Sequence, residues 1–261
     1  MSQYIHPDVK TLKVIADNWR RQPDLNSSDS PRTNTPHDAR TLTRLVSTSS
    51  LAVLDPYSER VEVFVQWYHR AQSMDLRAMS DEELEVELTK ISGDIDDMFF
   101  FSLLRRTVDK PAGQGSLLSV QAPLLIVQVM PGASTEGYKA YFRMDDLSPI
   151  IRIWRLSRNG DLWHFETLLS TLLHEMCHAY LELFSDTRHP RHEGWINVFS
   201  GHGEMFWVLQ RFVSRKIGAY TKSDAWQEVL ERGEAECSYH TETRGQPGTW
   251  GTPEKTVMIW H

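Results

Sequence analysis

The chain has 261 residues, a formal net charge of -7, and 40% hydrophobic and 10% aromatic content, enough for one sizeable core or one core with an appended subdomain. Its two cysteines, Cys177 and Cys237, exclude a disulfide framework and a CxxC zinc ribbon. No apolar run is long enough for a membrane span, and MSQYIHPDVK lacks the apolar core of a secretory signal, so the expectation is an intracellular protein, nuclear or cytoplasmic, not secreted and with no membrane partner.

Residues 1–38 read as a flexible N-terminal segment. Val9, Leu12, Ile15 and Trp19 form a weak amphipathic stretch, and Gln22 to Asp38, with Pro23, Pro31 and Pro36 among small polar residues, offers no apolar cluster to offset the entropy of ordering. A domain over 39–233 opens with the apolar patch at Leu42, Leu45 and Val46. Asp55 and Pro56 predict a helix start, as N-cap and first helical residue, with Tyr57, Val61, Phe64, Tyr68 and Ala71 on its buried face and Trp67 and His69 near it. Ser80 with Glu83 is a capping box that opens a second helix, whose Leu84, Leu88, Ile91, Ile95 and Met98 or Phe99 recur at three and four. The acidic residues from Asp81 to Glu87, and Asp94, Asp96 and Asp97, wrap around that helix instead of converging, which reads as a solvated face.

A turn at Pro111 to Gly115 introduces period two. Residues 124–130 read as a buried strand and 138–144 as a half-buried one; PIIRIWRLS follows as a third and ends at the turn Asn159-Gly160. An exposed edge strand beside a metal helix can pair with an extended peptide, so Ile151 to Leu156 or its neighbour is a candidate substrate platform as well as an ordinary sheet edge.

Residues 167–184, TLLSTLLHEMCHAYLELF, carry apolar side chains at helical spacing from Leu168 to Phe184. His174 and His178, four apart, project from one face and can share one Zn2+; Glu175 lies on the adjoining face, within reach of a water held by the metal. This is the H-E-x-x-H arrangement of zinc-dependent peptidases. A catalytic zinc takes three protein ligands and leaves one position open. Leu181 and Phe184 occupy the positions where the extended pattern would have Gly and His, so that pattern is excluded. Glu193 and Glu204 remain as carboxylate candidates, and His202, between two glycines before an apolar helix, is the preferred third ligand. That helix, with Phe206, Leu209, Phe212, Val213 and Ile217, is expected to stop at Gly218; a short one follows and ends at Gly233. Residues 234–261 form an unassigned C-terminal tail.

LLHEMCHAY followed by GHGEMF is similar to the SprT-like family of zinc metallopeptidases, whose Spartan-type members cut proteins crosslinked to DNA. The resemblance implies His174, His178 and His202 as zinc ligands and Glu175 as catalytic base, with Ala179, Tyr180, Gly201, Gly203 and Phe206 at the flanking positions. It is specific over about residues 150–215, and DDMFFFSLL resembles the family's first helix. The chain departs from the pattern in its long connecting loop, where His189 and His192 compete as ligands, and in having no zinc ribbon.

The expected fold is therefore α+β and zincin-like, of the minimal gluzincin type. The expected function is zinc-dependent hydrolysis of peptide bonds in a protein or peptide substrate, through a zinc-bound water with Glu175 as general base, on DNA-associated or DNA-crosslinked proteins. Tyr180 and His164 are the nearest candidates in sequence for a second oxyanion stabiliser. The other reading is a zinc-stabilised DNA- or protein-interaction module without turnover, and an intact Glu175 weighs against it, since structural zinc needs no base. Net charge opposes DNA binding, but between 101 and 160 Arg105, Arg106, Lys110, Lys139, Arg143, Arg152, Arg155 and Arg158 outnumber the acids. Weak DNA binding through a modest patch, or scattered surface charge, are the two readings of that excess.

Overall fold

The computed structural model describes residues 38–111, 119–135, 137–144, 149–186, 188–196 and 202–231. The amphipathic stretch around Val9 to Trp19, most of the turn after Pro111, and the C-terminal tail lie outside them.

The first element is helix α1 (Ala39–Ser49), which places Leu42, Leu45 and Val46 in the core. Asp38, expected at the end of the N-terminal segment, is buried and caps this helix, its Oδ1 accepting the Thr41 N–H at 2.7 Å. A single turn, α2 (Leu51–Leu54), follows, and Asp55 closes it by donating its N–H to Leu51 O. Helix α3 (Glu59–Gln72) therefore begins after Ser58 and not after Asp55. Tyr57, placed on the buried face by the sequence, is 88% exposed, and Trp67 joins Val61, Phe64, Tyr68 and Ala71 inside. His69 stays at the surface.

Helix α4 (Asp81–Phe99) opens on the expected capping box: Ser80 Oγ accepts the Glu83 N–H at 3.1 Å, and Glu83 Oε2 accepts the Ser80 N–H at 2.8 Å. One of its acids departs from the solvated-face reading. Asp96 is fully buried and its carboxylate accepts the N–H groups of Leu104 and Arg105 at 3.2 and 2.8 Å, which ties down the left-handed pair Phe101 and Ser102. Burial pushes the Asp96 carboxyl up to about 7, against the pull of those two N–H groups.

Two strands absent from the sequence reading, β1 (Thr107–Pro111) and β2 (Ser119–Pro123), pair antiparallel. A second sheet contains β3 (Ile126–Ala133), β4 (Ala140–Met144) and β5 (Pro149–Leu156) in the order β3-β5-β4, with β3 parallel and β4 antiparallel to the central strand. Ile151 to Leu156 is not an edge platform among the described residues, because β5 has a neighbour on both sides; the edge positions belong to β3 and β4. Strand β3 is half-buried, with Val127 and Val129 inside and Ile126 37% exposed, and its free edge is capped where the Val129 N–H donates to Glu85 Oε2 at 2.9 Å.

Helix α5 (Phe165–Phe184) packs on β4 and β5 along one side and on α7 (Glu204–Thr221) along the other, with the short α6 (His192–Ile196) between them in the chain. Helix α7 runs past Gly218 to Thr221 and is closed by Lys222 in the left-handed conformation. Gly218 has a different use: a Cβ there would lie 3.0 Å from the Cβ of Trp226, which is buried against it from the helical segment 225–231. The architecture mixes helices with small sheets, as an α+β fold does, and no helix among the described residues is long and apolar enough to cross a membrane.

Candidate metal centre

Helix α5 buries side chains on most of its circumference, including His174 and Glu175 at 7% exposure each, a setting that is costly for three polar groups in succession unless they are paired. The helix repeat sets the rings of His174 and His178 edge-to-face with centroids 4.9 Å apart and their Nε2 atoms 3.3 Å apart. His202 reaches in from the loop before α7, with its Nε2 3.0 Å from that of His174. The three ring nitrogens lie within 4.8 Å of one another. Nitrogens each about 2.0–2.1 Å from a tetrahedral zinc stand about 3.3 Å apart, so the spacing fits one ion held by all three, with the fourth position open.

The placement of His202 depends on its neighbour. The Gly203 N–H donates to Ile196 O at 2.9 Å, and the backbone approach is so close that a Cβ on Gly203 would sit 2.2 Å from the Trp195 carbonyl carbon. Its φ of -77° is open to any residue, so glycine is required here for lack of a side chain rather than for backbone freedom. Phe206, one turn on, packs on all three imidazoles: it stacks on His178 at 4.1 Å between centroids and meets His174 and His202 at 4.8 and 4.7 Å.

Burial, reinforced by the neighbouring imidazoles, holds His174 and His178 well below the usual histidine value, so that the rings are neutral and present lone pairs. Glu175 Oε2 accepts the N–H of Phe142, on edge strand β4, at 2.6 Å. Burial raises its carboxyl to about 8, partly opposed by that N–H. A cleft beside Glu175 is lined by Lys139 and Ala140, by Thr167 and Thr171 of α5, and by Trp207 and Gln210 of α7.

The competing ligand candidates go elsewhere. His189 stacks on Trp195 at 4.7 Å, His192 Nδ1 shares a hydrogen bond with Ser185 Oγ at 3.2 Å, and Glu193 and Glu204 are exposed. Neither suggested oxyanion stabiliser is in place. Tyr180 is fully buried between Phe100 and Phe184, with ring centroids 5.0 and 5.7 Å away. His164 caps the start of α5, about 15 Å along the axis from His174.

Four of the cations counted between 101 and 160 have partners within the fold. Arg155 donates to the carbonyls of Leu76 and Met79 and to Asp81, and Arg105 donates to Thr89 O and Ser92 Oγ. Lys139 lies buried with its Nζ 4.6 Å from the Trp163 ring centroid, and Arg152 donates to Tyr141 Oη at 2.7 Å. These contacts tie the cations to α4, the sheet and the loops.

Phe206 entered the sequence reading as a flanking position and as an apolar residue of its helix, and Gln210 not at all. Gln210 stands on α7, eight residues after His202 of the preceding loop, its Nε2 3.1 Å from His174 Nδ1. A polar residue in helical register with a ligand, within an otherwise apolar face, is the signal that points to it. No family model matches the chain, and neither the curated proteins nor the solved structures contain a match.

Proposed function

We propose that the chain is a zinc-dependent peptidase of SprT-like, zincin-like type that hydrolyses peptide bonds in protein or peptide substrates. The observation that carries this reading is the convergence of three imidazoles, two of them held neutral by burial, beside a buried carboxylate anchored to an edge strand. The likeness of LLHEMCHAY and GHGEMF to that family supports the same reading.

His174, His178 and His202 would hold Zn2+, and the bound ion would supply a Lewis acid for the scissile carbonyl and for an attacking water. Glu175 takes the proton from the water and returns it to the leaving amine. The cation's charge favours the ionised carboxylate and opposes the upward push of burial. The Phe142 N–H faces Glu175 and not β5, so the backbone groups of Ala140, two residues away, also face outward, and this edge can align an extended peptide across the centre. The cleft beside Glu175 then receives one substrate side chain.

DNA-crosslinked or otherwise DNA-associated proteins are the substrate class that the resemblance suggests. The net charge of -7 and the internal engagement of Arg105 and Arg155 favour weak DNA binding by the chain itself, with targeting left to a partner. A zinc-stabilised interaction module would need no buried carboxylate next to its ligands, so the position of Glu175 favours turnover.

The test is metal-dependent cleavage. Purified chain is incubated with an unfolded protein before and after zinc removal by a chelator, and again after one equivalent is restored, with new termini identified by mass spectrometry. Cleavage should disappear with the metal and return with it. Cleavage that is indifferent to the chelator, or absent in the zinc-loaded chain, contradicts the proposal.

A further inference from the structure

We infer that Gln210 is the positioning residue for His174: its side-chain carbonyl accepts the Nδ1–H of His174 and so holds the Nε2 lone pair toward the ion. The inference rests on the zinc reading above, and it concerns how this chain tunes its own site.

Phe206 and Gln210 are four apart on the face of α7 that meets α5, and His202, four before Phe206 in the loop that leads into the helix, extends their row. The row supplies a ligand, then a ring packed under all three imidazoles, then an amide against the far nitrogen of the innermost ligand. Gln210 is 7% exposed and shares its buried face with Leu209 and Val213, where an amide is costly unless it has a specific partner.

The chemistry of His174 fixes what that partner must offer. Its Nε2 is the atom 3.0 and 3.3 Å from the other two Nε2 atoms, so Nε2 is the coordinating nitrogen and must be bare. A neutral imidazole then carries its proton on Nδ1, and that proton needs an acceptor. As placed, the amide presents Nε2 to Nδ1, while its buried carbonyl oxygen has no hydrogen bond. The two ends of a glutamine amide have nearly the same shape, and turning the group over exchanges them without repacking. The turned amide puts the acceptor on the Nδ1–H. A partner of this kind fixes the tautomer and the ring orientation and raises the basicity of the ligand.

The test measures zinc affinity, not activity, by competition with a chromophoric chelator, together with the melting temperature of the metal-free chain. Gln210→Met keeps the length and removes the acceptor; Gln210→Glu keeps an acceptor. The Met variant should bind zinc about 10- to 100-fold more weakly, with a metal-free melting temperature no lower than that of the parent. The Glu variant should bind zinc at least as tightly as the parent. Parent-like zinc affinity in a folded Met variant overturns the inference. So does a folded Glu variant that loses zinc tenfold or more, and this arm stands even if the Met variant does not fold. If the parent chain takes up no zinc, the zinc reading itself is what fails; if the parent binds and the Met variant binds equally, only the role of Gln210 fails.

Discussion

The Phe142 N–H on the outward edge of β4 donates to Glu175 Oε2 at 2.6 Å, which joins the edge strand directly to the carboxylate beside the three-histidine cluster. Because β4 is antiparallel to β5 with Phe142 opposite Ile151, the register of the sheet fixes the position of that N–H and, through it, one oxygen of the carboxylate. On the proposed reading, the second oxygen is the one that would move the proton. The strand that would align a substrate and the base that would act on it are thus held by one hydrogen bond.

The ligand assignment predicts a clear separation among the histidines. His202→Ala should lower zinc content to under about a tenth of the parent's, since a site with two protein ligands is far weaker than one with three. His189→Ala and His192→Ala should keep one zinc per chain, because their rings engage Trp195 and Ser185 instead. Metal analysis of the purified variants decides this; an empty site in the His192 variant with a full one in the His202 variant would reverse the assignment.

Gly203→Ala is expected to act through sterics alone. A methyl group 2.2 Å from the Trp195 carbonyl carbon forces the α6–α7 connection apart, at a cost of about 2 kcal/mol or more, and carries His202 away from His174. Both the melting temperature and the zinc affinity should fall. A variant with unchanged affinity would mean that His202 does not depend on this contact.

Asp96, away from the histidine cluster, gives the fold a pH dependence of its own. Its folded-state value of about 7 lies above the ordinary 3.8, so between those values the folded chain retains a proton that the unfolded chain has released. Stability contributed by this group is full below the lower value and is lost as pH rises through the upper one. Urea denaturation at pH 5 and pH 8 should therefore show a larger loss of stability in the parent than in Asp96→Asn. Equal losses would show that the carboxyl is ionised throughout.

Much of this arrangement was legible because it rests on local periodicity. The apolar spacing of α5, the His174 and His178 pair, and the Ser80–Glu83 box each depend on residues within two turns of one another. The misplaced start of α3 is a contest between two good caps, Asp55 and Ser58, which the end of α2 at Asp55 decides. The centrality of β5 was hidden because β3 pairs with it across the intervening β4, a non-local choice that leaves no periodic trace. Gln210 and Phe142 were invisible as site residues for a related reason: each acts through a partner more than thirty positions away. Gly218 illustrates the reverse error, since a glycine near a helix end resembles a cap until Trp226 is seen against it.

Arg155 separates structure from DNA binding. Its guanidinium is 12% exposed and bonded to Met79 O, Leu76 O and Asp81, so Arg155→Ala should lower stability by about 2 kcal/mol while leaving DNA affinity unchanged. Binding of the parent chain to single- or double-stranded DNA should be weak and should fall steeply between low and physiological salt. Tight binding that survives physiological salt and is abolished in a folded Arg155 variant would place the DNA site where this account puts a structural strut.

The most direct test is cleavage of an unfolded protein by the parent and by Glu175→Gln, each loaded with one equivalent of zinc and freed of contaminating protease. Glutamine can still accept the Phe142 N–H through its carbonyl and is not asked to hold the metal, so the variant should fold and keep its zinc. Without a group that can take up the proton, its cleavage rate should fall by about 10²- to 10⁴-fold. Equal rates in parent and variant, both fully loaded, would contradict the account.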